Sequence, residues 1–329
     1  MNILVTGGAG YIGSHACLSL IDAGYNITVI DDLSKGYKQL IPNKAKFIKA
    51  NINDTNMLNH LFHNNSFDAL LHFAGFVEVE ESIKFPKKYY NNNTTNASIL
   101  FENCFKNGLK NIIFSSSAAV YGNSNNKLIQ EKNKLNPLNP YGKSKEQAEN
   151  ILIQMQKEKK INYVILRYFN VAGADPKLRA GLISKNPTHL IKITCEAAVG
   201  KRGFISIFGN DYNTYDGTAI RDYIHVTDLA DIHLKSLEYL LKTKHSTIMN
   251  CGYGKGYSVK EVLRTMNKIC NRKLNIGYKE RRPGDAVSVV ADVSKLMKTI
   301  KWKPNYNDLE SILRTGLKWE TKLQNEKIS

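Results

Sequence analysis

"NILVTGGAGYIG", Asn2 to Gly13, decides how the first half of the chain must fold. A short apolar run passes straight into glycines spaced three apart, Gly7, Gly10 and Gly13, and the glycines open an amphipathic stretch from Ile12 to Ala23. A tight turn needs a residue without Cβ, close approach of a phosphate needs another, and the free N–H groups of a helix start attract an anion. Strand, glycine turn and helix in that order form a dinucleotide-binding unit. Asp31 ends the next apolar run, 18 residues beyond Gly13. A carboxylate there accepts hydrogen bonds from an adenosine ribose and repels a 2′-phosphate, so NAD is expected over NADP.

The same rhythm continues outward from this unit. "NITVID", "AKFIKA", "DALLHFAG", "NIIFSSS" and "NYVILRYFN" read as buried strands, with helix-like segments such as Thr95–Asn107 between them. Continuous apolar strands alternating with helices predict an α/β fold, a doubly wound parallel sheet covered on both faces. Residues 1–170 are read as this Rossmann-like domain, carrying the catalytic residues. After Asn170 the pattern loosens into "VAGADPKLRAGLISKNPTH", and residues 171–329 are read as a smaller α/β domain that closes over the first and is not strictly separable from it. The asparagines at Asn123 to Asn126 read as a flexible loop.

Composition narrows the class. The chain has 329 residues, enough for one large or two ordinary cores. Cys17, Cys104, Cys195, Cys251 and Cys270 show no C-x-x-C spacing and are odd in number, which predicts free thiols in a reducing compartment and no metal site. Without a leader-like start or a run of the ~20 apolar residues a membrane span needs, a cytoplasmic setting with no membrane partner is expected. The net charge of +17 comes largely from lysines scattered among many asparagines without a basic stripe, so no nucleic-acid partner is expected.

"NPYGKSK", Asn139 to Lys145, places a phenol four residues before an ammonium, behind an Asn-Pro helix start. Positions i and i+4 share a helix face, so Tyr141 and Lys145 point the same way. Beside a bound nicotinamide, two positive charges favour the phenolate, and Lys145 is expected to tune Tyr141 as a base that takes an alcohol proton while hydride leaves the same carbon. Ser117, in "SSSAAVYG", falls at a strand end, where its hydroxyl can share that proton.

Together these motifs resemble the extended short-chain dehydrogenase/reductase proteins acting on nucleotide sugars. "LRYFNVAGADP" from Leu166, "FGNDYNTYDGTAIRDYIHVTDLA" from Phe208 and "RRPGDAVSVVAD" from Arg281 narrow the likeness to the UDP-glucose 4-epimerases, and it runs from Met1 to about Trp319. The resemblance implies Ser117, Tyr141 and Lys145 as the catalytic set. It implies dinucleotide contacts from Gly7, Gly10, Tyr11, Ile12, Gly13, Asp31, Asn51, Ile52, Phe73, Ala74, Gly75, Asn93, Ser115 and Tyr168, together with Tyr141 and Lys145. For the UDP-sugar it implies Ser117, Tyr141, Asn170, His189, Leu190, Ser206, Phe208, Arg221, Arg282 and Asp285, with the arginines suiting a pyrophosphate and Phe208 lying against uracil. The implied activity interconverts UDP-glucose and UDP-galactose: NAD oxidises C4, the 4-keto sugar swings about its diphosphate link, and hydride returns to the other face. A homodimer through paired helices of the first domain is the family expectation.

Four positions depart from the common pattern. Asn51 stands for an adenine-facing aspartate, Val77 for a lysine near the nicotinamide ribose, and Glu80 for a glycine. Val289 stands where narrower pockets carry tyrosine, which leaves volume for a C2 N-acetyl group, so UDP-N-acetyl sugars are an alternative or additional substrate. A 4,6-dehydratase needs an acid and a base beside the catalytic hydroxyl, where this chain has Ala118 and Ala119; a non-catalytic NAD-binding regulator usually lacks the Tyr/Lys pair kept here.

Overall fold

The computed structural model describes residues 1–123, 127–282 and 285–326. The expected flexible loop therefore lies, beyond Asn123, outside the described residues, as do two positions of the block that begins at Arg281. In chain order the first strands are β1 (Asn2–Thr6), β2 (Asn26–Asp31), β3 (Lys46–Lys49), β4 (Ala69–His72), β5 (Asn111–Ser117) and β6 (Asn162–Tyr168). Those after them are β7 (Asn170–Ala172), β8 (Ile205–Phe208), β9 (Ile220–His225), β10 (Thr247–Cys251), β11 (Gly256–Ser258), β12 (Ile276–Lys279) and β13 (Ser288–Val289). The helices are α1 (Tyr11–Asp22), α2 (Thr55–Asn64), α3 (Val79–Lys84), α4 (Pro86–Tyr90), α5 (Asn96–Lys106) and α6 (Pro140–Lys159), then α7 (Leu190–Ala198), α8 (Val226–Thr243), α9 (Val259–Ile269), α10 (Ser294–Ile300) and α11 (Leu309–Asn325).

Seven parallel strands form the main sheet in the order β10-β6-β5-β4-β1-β2-β3. Side chains alternate across each strand, so Ile3 and Val5 pack with Leu20, Leu229 and Ile232 of α1 and α8, while Leu4 packs on the other face with Leu58, Leu100 and Leu152 of α2, α5 and α6. Both faces are apolar, as a covered parallel sheet requires. The chain reverses its winding between β1 and β4, and the crevice beyond their carboxyl ends is where such sheets bind ligands.

The boundary at residue 170 does not divide this sheet. β10 lies 77 positions beyond it in the chain (247 − 170) and adds the outer strand beside β6, with α8 on the same face as α1. Tertiary pairing places β10 there; its five residues carry no local mark of it. The remaining elements build a smaller unit, in which β9 pairs with β7, β11 and β13, β8 with β12, and α7, α9 and α11 close the core. All five cysteines are free. Among the described residues, no helix is long and apolar enough to cross a membrane and no cluster of His, Cys, Asp or Glu could hold a metal.

Candidate active site

A cavity of about 600 Å³ runs from the end of β1, past β4 and β5, to the smaller unit. Gly7 has φ +74°, and a Cβ there would lie 2.5 Å from the Ala74 nitrogen. A Cβ on Gly13 would lie 2.2 Å from the Gly7 carbonyl oxygen. These two glycines let α1 begin against the turn. Its first turn has neither a side-chain cap nor an acidic residue, which leaves N–H groups and the positive dipole end facing the cavity. Gly13→Ala is therefore expected to cost about 1–3 kcal/mol of stability and to strip the protein of dinucleotide. Thermal unfolding and the NAD content of the purified protein check both.

Asp31 is buried at the end of β2 and accepts from the backbone nitrogens of Ala9 at 3.0 Å and Leu33 at 2.9 Å. Burial nevertheless raises its carboxyl above the ordinary value, a cost that two ribose hydroxyls would relieve as further donors. Asn51 donates to the carboxylate of Asp32 at 3.1 Å, so the acid missing at position 51 has a neighbour within reach. Asp32 lines the cavity and was not singled out in the sequence; its place directly after the strand-end Asp31 was the available signal. Ile52, Phe73, Ala74 and Gly75 line the same stretch, with Tyr11 and Ile12 from α1. The Tyr11 hydroxyl donates to the Gly173 carbonyl at 2.7 Å, tying α1 to the loop after β7.

The glycine turn and strand-end carboxylate fit a dinucleotide, and its far end would meet α6. Asn139 caps that helix, its side chain accepting from the Gly142 nitrogen at 2.9 Å, and Pro140 occupies the first turn. Tyr141, Lys145, Ser115, Ser117 and Tyr168 converge on the cavity. Ser117 Oγ accepts from the Ala119 nitrogen at 3.1 Å, so its own proton is free to point elsewhere. Tyr168 is hydrogen-bonded to His233 Nε2 of α8.

The Lys145 ammonium does not hydrogen-bond the Tyr141 phenol; it donates to the Ser115 carbonyl at 3.0 Å and lies over the Phe114 ring. Burial raises the phenol above its usual value, with Ser117 pulling it part of the way back, and the same burial lowers the lysine from 10.5 to about 8. In the protein alone, Tyr141 is thus held as a proton-bearing phenol.

On the opposite wall, Asn170, His189, Arg221 and Asp285 line the cavity. Arg221 lies 3.5 Å from Asp285, and burial holds the His189 imidazole neutral by lowering its pKa. Five expected residues are not on the cavity wall. Asn93 sits behind Gly75, bonding both the nitrogen and the carbonyl of Phe76 and the Ser144 hydroxyl. Leu190 opens α7, and Ser206 lies within β8. Phe208 has the Arg282 guanidinium stacked on its ring at 3.9 Å, so uracil would have to displace the guanidinium or use the other face.

A parallel sheet with a glycine-lined turn, a strand-end carboxylate and a Ser/Tyr/Lys group on one cavity defines a dinucleotide-dependent enzyme. The chain belongs to the NAD dependent epimerase/dehydratase family, whose profile matches residues 3–252. It is 44% identical over 322 residues to the UDP-glucose 4-epimerase of Azospirillum brasilense, covering 98% of this chain and 92% of that one. A solved UDP-glucose-4-epimerase from Stenotrophomonas maltophila, with bound NAD and formylated UDP-arabinopyranose, superposes with a TM-score of 0.96 at 33% identity, covering 99% of each chain. The UDP-Glc/GlcNAc 4-epimerase of Campylobacter jejuni gives 0.86 at 42% identity, covering 98% of this chain and 99% of that one.

Proposed function

We propose that the protein interconverts UDP-glucose and UDP-galactose, with Ser117, Tyr141 and Lys145 as its catalytic residues. The observation that carries the assignment of roles is their convergence on one cavity whose far wall presents Asn170, His189, Arg221 and Asp285 to an anionic sugar nucleotide. Bound NAD supplies the hydride acceptor and donor at C4 and a positive charge on its nicotinamide ring. Tyr141 takes the proton of the 4-hydroxyl and returns it, Ser117 relays or shares that proton, and the Lys145 ammonium steadies the phenolate electrostatically. Arg221 anchors the diphosphate while the sugar is held loosely enough to turn. Ala118 and Ala119 offer no acid or base beside Ser117, which favours epimerisation over elimination. A homodimer and a cytoplasmic setting belong to the same proposal, with sedimentation reading the first.

Incubating the purified protein with UDP-galactose and following the anomeric signals by NMR tests the reading. Conversion to a stable mixture with UDP-glucose is the expected result, and no conversion even with added NAD overturns it. Val289 lines the cavity, and the small valine supports acceptance of UDP-N-acetyl sugars as well, as the name of the Campylobacter relative describes for that enzyme. Val289→Tyr is expected to lower kcat/KM on UDP-N-acetylgalactosamine by at least about tenfold while sparing UDP-galactose. Equal losses on both substrates would remove Val289 as the determinant.

A further inference from the structure

The face of α6 that carries Tyr141 and Lys145 continues one turn further to Glu149, a fully buried carboxylate. Its oxygens accept from Arg167 Nε at 3.0 Å and Nη2 at 2.6 Å, and one also accepts from the Ser116 hydroxyl. Arg167, on β6, is itself 3% exposed and donates from Nη1 to the Tyr121 hydroxyl at 2.9 Å. Tyr121 donates in turn to Asn250 of β10 at 2.7 Å. One carboxylate thus joins α6 to β5 at the residue before Ser117, and to β6. Burying such a pair seldom adds stability over apolar side chains of the same volume, so its presence calls for another reason.

The charged and titratable groups packed about Lys145 identify that reason. On its own helix are Tyr141 and Glu149; from β4 comes His72, whose imidazole burial keeps neutral; β5 contributes hydroxyls and the Ser115 carbonyl; Arg167 of β6 is paired to Glu149, and Tyr121 is bonded to Arg167 and Asn250. Glu149 is the group whose negative charge opposes the loss of the Lys145 proton. We propose that Glu149 is a positioning residue for the reaction, registering the Tyr141/Lys145 face of α6 against the Ser117 end of β5 and serving as the counter-charge of Lys145. This rests on the epimerase reading for its kinetic consequences; for the state of Lys145 it rests on two buried side chains one turn apart on α6, with the Glu149 charge favouring the ammonium.

Two variants test it: Glu149→Gln, and the pair Glu149→Gln with Arg167→Met, which leaves no buried guanidinium unpaired. The double variant is expected to unfold near the wild-type temperature, yet to lose at least about tenfold in kcat with little change in KM for the UDP-sugar. The alkaline limb of the kcat profile of Glu149→Gln is expected to move down, because the charge that favours the Lys145 ammonium is gone. Acetic anhydride labelling of Lys145, followed by mass spectrometry against pH, reads the same movement without any turnover. If wild-type protein shows no epimerisation, the functional reading fails while the labelling still judges the counter-charge. A folded variant that keeps the wild-type kcat, alkaline limb and labelling profile overturns the proposal.

Discussion

Tyr141→Phe is expected to reduce kcat on UDP-galactose by about 10²–10⁴-fold, the range for loss of a positioned proton-transfer group. The substitution removes one oxygen and leaves the ring, which packs edge-on to Tyr89 at 6.5 Å, so the fold and the dinucleotide content should be unchanged. Burial keeps the phenol above its ordinary pKa, with Ser117 pulling it part of the way back. NMR of the sugar mixture over extended incubation measures the residual rate. A variant within tenfold of wild type would mean that Ser117 alone moves the proton, and would end Tyr141's assigned role.

Lys145→Met should separate stability from activity. The ammonium is buried, and burial lowers its pKa from 10.5 to about 8. Below about pH 8 the folded protein carries the whole cost of a desolvated charge. Between about 8 and 10.5 the unfolded chain binds the proton that the folded one has released, so stability rises across that window. The cost at neutral pH is roughly 3 kcal/mol, and losing the bond to the Ser115 carbonyl gives back roughly 1.5 kcal/mol. Lys145→Met is therefore expected to unfold a few degrees higher than wild type at pH 7 and to lose this advantage by pH 10, while kcat drops at least about a hundredfold. An unfolding temperature below wild type at pH 7 would contradict the assigned cost of the buried ammonium.

Local signals carried the first half of the fold into the sequence reading. The glycine spacing, the strand-end Asp31 and the Asn-Pro start of α6 each act within a few residues, and the elements lie where those signals put them to within a residue or so: α1 spans Tyr11–Asp22 and α5 Asn96–Lys106. What escaped depends on residues far apart in the chain. Asn93 faces the Phe76 backbone because α6 presses on it through Ser144, 51 residues on. Arg282 covers Phe208 from across a long interval of sequence, and no window containing Phe208 shows it. Glu149 reads as an ordinary helical glutamate in "KEQAENI"; only the meeting of β6 with α6 reveals its partner. The direction in which Lys145 points was equally hidden, since i to i+4 spacing fixes a shared face but not a shared hydrogen bond.

The late arrival of β10 shapes how the chain must be made. β6 is complete at Tyr168, but its outer edge stays unpaired until Thr247–Cys251 has been synthesised, after the intervening residues 169–246. At ribosomal speeds of about 5–20 residues per second, that interval lasts roughly 4–16 s. Throughout it the nascent chain displays an open strand of Val164, Ile165 and Leu166, side chains that are wholly buried in the finished protein. Polypeptides stalled in that interval should be sticky and held by chaperones, and release from them should track the emergence of Cys251.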